Sequence, residues 1–308
     1  MEEVNSNIQG NIQSMLSSGL LSELRRLELV TKRKIDTDMM GRYRSAFRGS
    51  GLIFSDLREY QPGDDVKHIH WKVTARTGHV FVKSYDEDRQ LRIMLLVDTS
   101  NSTGVGSFDG DKLRTKHQKA LEFAALISIL AAKSQDAIGL SLFSDKVEDY
   151  LPPKKSRTQF KNILLKLMTP RPLGKGTDLT VALRHLNEQQ RKASIVFVVS
   201  DFHTKGYEDE LRKLAFRHDV ILVLLEDKFE SSLPAAGIVE LVDAESGNRF
   251  LLDTSDKKAR ETLAALHEKR VKEISAIASR SGADLVRILD NPLSPIADLM
   301  QRRTSRLR

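Results

Sequence analysis

Five oxygen-bearing side chains in three separate segments carry the chemistry this sequence can offer. Asp98-Thr99-Ser100-Asn101-Ser102 follows a short apolar run, Arg92 to Val97, and Asp201 follows another, Ile195 to Val199. Between them lies the glycine-rich segment Gly174-Lys175-Gly176-Thr177-Asp178. Two carboxylates (Asp98, Asp201) and three hydroxyls (Ser100, Ser102, Thr177) make an all-oxygen, hard donor set. It suits Mg²⁺, with Mn²⁺ or Ca²⁺ as alternatives, and suits zinc poorly. The expected assignment has Ser100, Ser102 and Thr177 bound directly, with Asp98 and Asp201 holding metal-bound waters. Few charged direct ligands leave such an ion electrophilic, with a position open for an Asp or Glu of a partner. Each segment alone has a plainer reading: Asp98 as a turn former, Asp201 as a helix N-cap, Thr177 or Asp178 as a cap for the helix that follows. That three segments each supply an oxygen at a strand end favours the metal.

The elements that must bring these residues together are legible from residue 91 onward. Four tightly bounded apolar runs, 92–97, 138–143, 195–199 and 220–225, read as parallel strands buried on both faces. Helical stretches are expected at about 115–133, 158–168, 178–191 and 207–217, then 256–280 before a last strand at 284–288. Strand and helix in alternation imply an α/β fold: a mostly parallel, Rossmann-like sheet with right-handed crossovers and helices on both faces. Ligands bind such sheets outside the carboxyl ends of the strands, where Asp98 and Asp201 stand. Segment 238–252, with Gly247-Asn248 between two apolar runs, reads as an inserted antiparallel hairpin. Four parts result: an N-terminal helical segment 1–40, a small β-rich module 41–90, the main α/β domain 91–290, and a basic C-terminal helix or tail 291–308. Within 41–90 the pattern gives strands and turns with little helix, and a short β-pair at 69–73 and 79–84.

Composition limits the alternatives. Of 308 residues, 40% are apolar and 30% charged, a globular profile with room for one large domain and an accessory. Cysteine is absent, which excludes disulfides and thiolate zinc sites and is compatible with a reducing cytoplasm. No apolar run reaches the ~20 residues of a membrane-spanning helix; Ala120 to Ala132 reads as a buried helix. The start lacks the pattern of a signal peptide. The net charge of +7 draws partly on Thr31-Lys32-Arg33-Lys34 and the tail Arg302 to Arg308. Without an accompanying nucleic-acid motif these clusters read as solvated surface, with no nucleic-acid partner; peripheral membrane association stays open.

The three segments together resemble the metal-ion-dependent adhesion site of von Willebrand factor A domains, with Asp98, Ser100 and Ser102 matching its first motif, Thr177 its threonine and Asp201 its second aspartate. A second stretch, Arg58-Glu59-Tyr60-Gln61-Pro62-Gly63-Asp64-Asp65 with Ile69, Trp71, Ala75-Arg76-Thr77-Gly78 and Val82-Lys83, resembles the signature of the bacterial domain of unknown function number fifty-eight. The resemblance implies a von Willebrand factor A-like fold and a cytoplasmic, non-enzymatic protein. Its implied partners are a MoxR-type AAA ATPase, and protein clients or membrane-bound A-domain proteins gripped through an acidic residue. Two other readings use the same residues: a metal-assisted phosphoesterase, or a scaffold whose metal site is vestigial.

His68 and His70 alternate on an expected strand without a third ligand. Trp71, the sole tryptophan, reads as a packing anchor. Asp64 and Asp65 read as turn-stabilising carboxylates, paired with Arg58 or Arg76. Thr103 to Asp111 reads as a long loop that shields the metal or offers Asp109 or Asp111. Ser141, Ser144 and His203 lack a nucleophile elbow, and no Walker lysine motif is present.

Overall fold

Ile93, Leu95 and Val97 turn to one side of strand β3 (Arg92–Asp98), Met94 and Leu96 to the other, and all five are 0% exposed. Such a strand needs cover on both faces, and the computed structural model supplies it. It describes residues 26–33, 35–48, 53–62, 64–66, 69–86, 90–109, 112–156, 158–169, 176–242 and 248–306. Parallel neighbours β6 (Ala137–Phe143) and β8 (Ile195–Ser200) flank β3. Beyond β8 lie β9 (Asp219–Leu225) and β12 (Asp284–Ile288), also parallel. Beyond β6 lies β7 (Val147–Lys154), antiparallel, giving the order β12-β9-β8-β3-β6-β7.

One face is covered by α1 (Thr37–Arg48), α3 (Lys116–Lys133), α4 (Gln159–Met168) and α9 (Leu293–Arg306). The other is covered by α5 (Leu179–Gln189), α6 (Glu208–Arg217) and α8 (Lys257–Ser281). The expected α/β architecture is therefore the observed one. Helix α3, the apolar stretch at 120–132, is the central buried helix, started by a capping box between Thr115 and Gln118. Among the described residues no helix is long and apolar enough to cross a membrane.

The ends of the chain are less separate than the sequence implies. Helix α1 runs across residue 40, and its Met39, Tyr43 and Ala46 join the same core as Ile296, Leu299 and Met300 of α9. The Tyr43 hydroxyl donates to Asp136 at 2.9 Å in the interior. Arg303 bonds Asp219 and Asp284 and lies 5.1 Å from the Phe47 ring centroid. Part of the basic tail is thus internal glue.

In the module before residue 91, the strand expected at 79–84 is β2 (Phe81–Asp86), and its partner is β1 (Ile53–Glu59) and not the segment at 69–73. That segment makes a single bridge, Ile69 to Val82, and then turns into helix α2 (Trp71–Thr77). The His70 ring caps the helix, its Nδ1 accepting from the Val73 N–H, so His70 is a local cap; His68 lies outside the described residues. Trp71 is 67% exposed, contrary to a packing anchor, because the first residue of so short a helix can face away from the strands. Asp64 accepts from the Gln61 N–H at 2.9 Å, which makes it the turn carboxylate expected. The stretch after residue 103 is a hairpin, β4 (Gly106–Asp109) with β5 (Lys112–Thr115); Asp111 lies outside the described residues. The hairpin expected at 238–252 is present as β10 (Ile238–Val242) and β11 (Arg249–Asp253).

Gly139 shows how tightly the sheet is closed. A Cβ there would stand 2.6 Å from the Leu151 carbonyl oxygen and 2.8 Å from Met94 Sδ, where β7 bulges over β6. Gly139→Ala is expected to cost about 2–3 kcal/mol, because the obstacle is backbone that cannot yield. A lowered urea midpoint at unchanged slope would show it; an unaltered midpoint would mean β7 moves freely.

Candidate metal centre at the strand ends

Strands β3 and β8 are adjacent and in register, Val97 opposite Val199, so the residues after them meet at one edge. The Ser200 hydroxyl donates to Asp98 Oδ2 at 2.7 Å, and the Ser100 N–H donates to Asp98 Oδ1 at 2.9 Å. Both Asp98 oxygens are thereby oriented. After Ser100 the chain makes a short 3₁₀ turn, Asn101–Gly104, held by the Thr103 hydroxyl donating to the Ser100 carbonyl at 2.7 Å. That turn brings the Ser102 hydroxyl to 2.9 Å from the Ser100 hydroxyl. Asp98, Ser100 and Ser102 are thereby linked in sequence by hydrogen bonds through Ser100.

Asp201 reaches the same edge. Its Oδ1 accepts from the His203 N–H at 3.3 Å, a turn made possible by Phe202 at φ +54°. A left-handed Phe is costly; burial of its ring beside Tyr207 offsets that cost. Asp201 does not cap a helix. Thr177 lies half-buried beside the same edge, since the next residue, Asp178, donates its N–H to the Ser144 carbonyl just beyond β6. Asp178, not Thr177, caps α5, accepting from the Val181 N–H. Gly174 and Lys175 lie outside the described residues.

The principal surprise is Lys116. It sits in the first turn of α3, only 2% exposed, and its Nζ donates to Asp201 Oδ2 at 3.0 Å and to Glu230 Oε1 at 2.6 Å. Glu230 belongs to α7 (Lys228–Ser231), which follows β9, and is also bonded by Arg270 at 3.3 Å. Behind it, buried Glu226 accepts from Arg287 at 2.7 Å and pairs with His267 at 2.9 Å. Neither Lys116 nor Ser200 stands out in the sequence. A lysine two residues after Arg114 reads as surface charge, and the one cue for Ser200 is its place before Asp201.

Electrostatics separate the two aspartates. Burial pushes Asp98 up to about 6, and the nearby Asp201 charge adds to this against the hydrogen bonds from Ser100 and Ser200. Burial also acts to raise Asp201, but Lys116 and His203 overcome it and hold the carboxyl below its ordinary range. Burial opposes the Lys116 charge, yet Asp201 and Glu230 outweigh it and raise its pKa.

The donor chemistry fits a hard divalent ion. Asp98, Ser100 and Asp201 are 0% exposed and Ser102 is 9% exposed, so Ser102 is the least covered of the four. Among the described residues no three His, Asp or Glu side chains gather as a conventional metal cluster; this set is two carboxylates with hydroxyls.

The sheet order, five parallel strands with one antiparallel edge strand and helices on both faces, defines an α/β domain with a mostly parallel central sheet. The chain belongs to the family described as Protein of unknown function DUF58, whose model matches residues 56–273. It is 32% identical over 257 residues to the uncharacterized protein Rv1480 of Mycobacterium tuberculosis, covering 82% of this chain and 80% of that one. The same figures hold for the uncharacterized protein Mb1516 of Mycobacterium bovis. Among solved structures it is similar to an aerotolerance-related membrane protein from Bacteroides fragilis, with 15% identity, 70% of this chain and 99% of that chain covered, and a TM-score of 0.46. BatB from Bacteroides thetaiotaomicron gives 15% identity, the same coverage and a TM-score of 0.44.

A raised pKa in a buried carboxyl has a definite sign for stability. The folded state holds a proton on Asp98 at pH values where the unfolded chain has lost it. Its penalty is therefore absent below about pH 4, grows as pH rises toward about 6, and then stays constant. In chelator, stability is expected to fall over that window by on the order of 3 kcal/mol, and Asp98→Asn to flatten the profile. Thermal melts of both proteins from pH 4 to 8 check this; parallel profiles would contradict it.

Proposed function

We propose that this protein is a non-enzymatic, metal-dependent interaction module that grips an acidic residue of a protein partner. In this reading it serves in the cytoplasm as an adaptor for a MoxR-type AAA ATPase, the partner class that its family resemblance implies. The observation that carries the metal is the 2.9 Å separation of the Ser100 and Ser102 hydroxyls beside two sealed carboxylates. Adjacent ligands of an octahedral Mg²⁺, bound at ~2.0–2.1 Å, stand ~2.9 Å apart. Ser100 and Ser102 already have that spacing.

The chain's own residues divide the work. Ser100, Ser102 and Thr177 offer neutral oxygens. Asp98, fixed by Ser200 and the Ser100 N–H, supplies the nearest uncancelled negative charge. Asp201, with one oxygen on a backbone N–H and the other on Lys116, suits an orienting role better than direct coordination. When bound, a divalent ion supplies a Lewis-acidic position that a carboxylate can complete. Hydroxyl donors outnumber carboxylates here, and nothing in the described residues favours the paired-ion arrangement of phosphoester hydrolysis. One observation does favour a second reading. Lys116 places a cation of the chain's own at Asp201, as a scaffold with a vestigial metal site would.

Replacing both hydroxyls, Ser100→Ala with Ser102→Ala, is expected to weaken Mn²⁺ or Mg²⁺ binding by more than about tenfold in calorimetry while the fold persists. The same pair of substitutions, or chelator, is expected to abolish capture of an acidic protein partner. Asp98→Ala should do so too, although it strands the Ser200 hydroxyl. Capture that survives both chelator and the double substitution would sink the reading.

A further inference from the structure

We infer that Lys116 is an internal counter-cation that sets a low affinity for the divalent ion at this centre. The inference rests on the metal reading above and goes beyond it, because it assigns a role to a residue outside the donor set. An ammonium group is rarely sealed inside a protein, and when it is, it must be matched by charge. Lys116 is matched twice, by Asp201 at 3.0 Å and by Glu230 at 2.6 Å. Its backbone is held in place by the capping box that starts α3, immediately after the β4–β5 hairpin closes the loop that carries Ser100 and Ser102. The ammonium is therefore delivered to the centre by the same segment that delivers the hydroxyls.

Two consequences follow for a divalent ion. Lys116 cancels one of the two carboxylate charges that would attract it, leaving Asp98 as the nearest uncancelled negative group. It also adds a like charge close by, in surroundings where Coulomb forces are poorly screened. Glu230 matters here because it secures the lysine from the opposite side, and Arg270 in turn bonds Glu230. With the intrinsic attraction reduced, an additional carboxylate brought by a partner makes a larger relative contribution to holding the ion. The centre is biased toward forming when partner and ion arrive together.

The test is calorimetric titration of Mn²⁺ and Mg²⁺ into the full chain, as wild type, Lys116→Gln and Lys116→Met. Gln keeps a hydrogen bond to Asp201 and Met keeps the length of the stem, so one of the two retains the fold if the other does not; circular dichroism and melting temperature confirm it. Removing the charge is expected to raise divalent affinity at least ~tenfold. Adding Ser100→Ala with Ser102→Ala to either variant should cancel the gain. A lysine with a structural role alone would lower the melting temperature without tightening ion binding. If the wild type binds the ion and the variants bind it no more tightly, the inference is overturned while the metal reading stands. Should the variants bind and the wild type not, the inference holds and the vestigial reading describes the native chain. If none binds, both the metal reading and the inference fall.

Discussion

Asp98 and Asp201 are 0% exposed at the ends of two adjacent parallel strands, and a buried negative charge without a partner is among the costliest groups a fold can hold. Most of what surrounds them answers that cost. Ser200 and the Ser100 N–H serve Asp98, the Phe202 turn presents the His203 N–H to Asp201, and Lys116 crosses from α3 to supply a full charge. The result is asymmetric. Asp201 is held ionised and Asp98 is pushed toward protonation, so two residues of one type differ in readiness to attract a cation.

This asymmetry depends on the sheet. Parallel strands place all their carboxyl ends on one side, and the apolar runs Ile93 to Val97 and Ile195 to Val199 confine the polar groups of β3 and β8 near the centre to those ends. Beyond the edge, a second tier of charge, Glu226 with Arg287 and His267, and Glu230 with Arg270, ties β9, α7, α8 and β12 to the same region. Lys116 joins that tier to the aspartates.

The buried strands and the longer helices from residue 91 onward are legible because continuous apolar runs and buried helices leave a periodic trace, whereas the β4–β5 hairpin carries none. Asp98, Ser100, Ser102 and Asp201 can be singled out from sequence because they fall within the first few residues after such runs, in a pattern of oxygen side chains. Lys116 and Ser200 cannot, since their partners are distant in sequence: Lys116 meets Asp201 and Glu230 only once α3 has folded over the sheet. The exposure of Trp71 is not legible, because a bulky aromatic in a short segment carries no sign of which way it faces. The strand β7 was missed because Pro152 and Pro153 interrupt it, and proline is tolerated there because the strand lies at the sheet's edge. Helix α1 has no visible continuation past residue 40 in the sequence pattern because its apolar face is completed by a segment near the other end of the chain.

That last pairing bears on how the protein is made. Met39, Tyr43 and Ala46 share a core with α9, and Arg303 of α9 lies over the Phe47 ring of α1. During synthesis the first of these helices leaves the ribosome long before the second exists. Until the final helix emerges, an apolar stripe on the nascent chain has no lasting cover, and it is a natural place for a chaperone to hold.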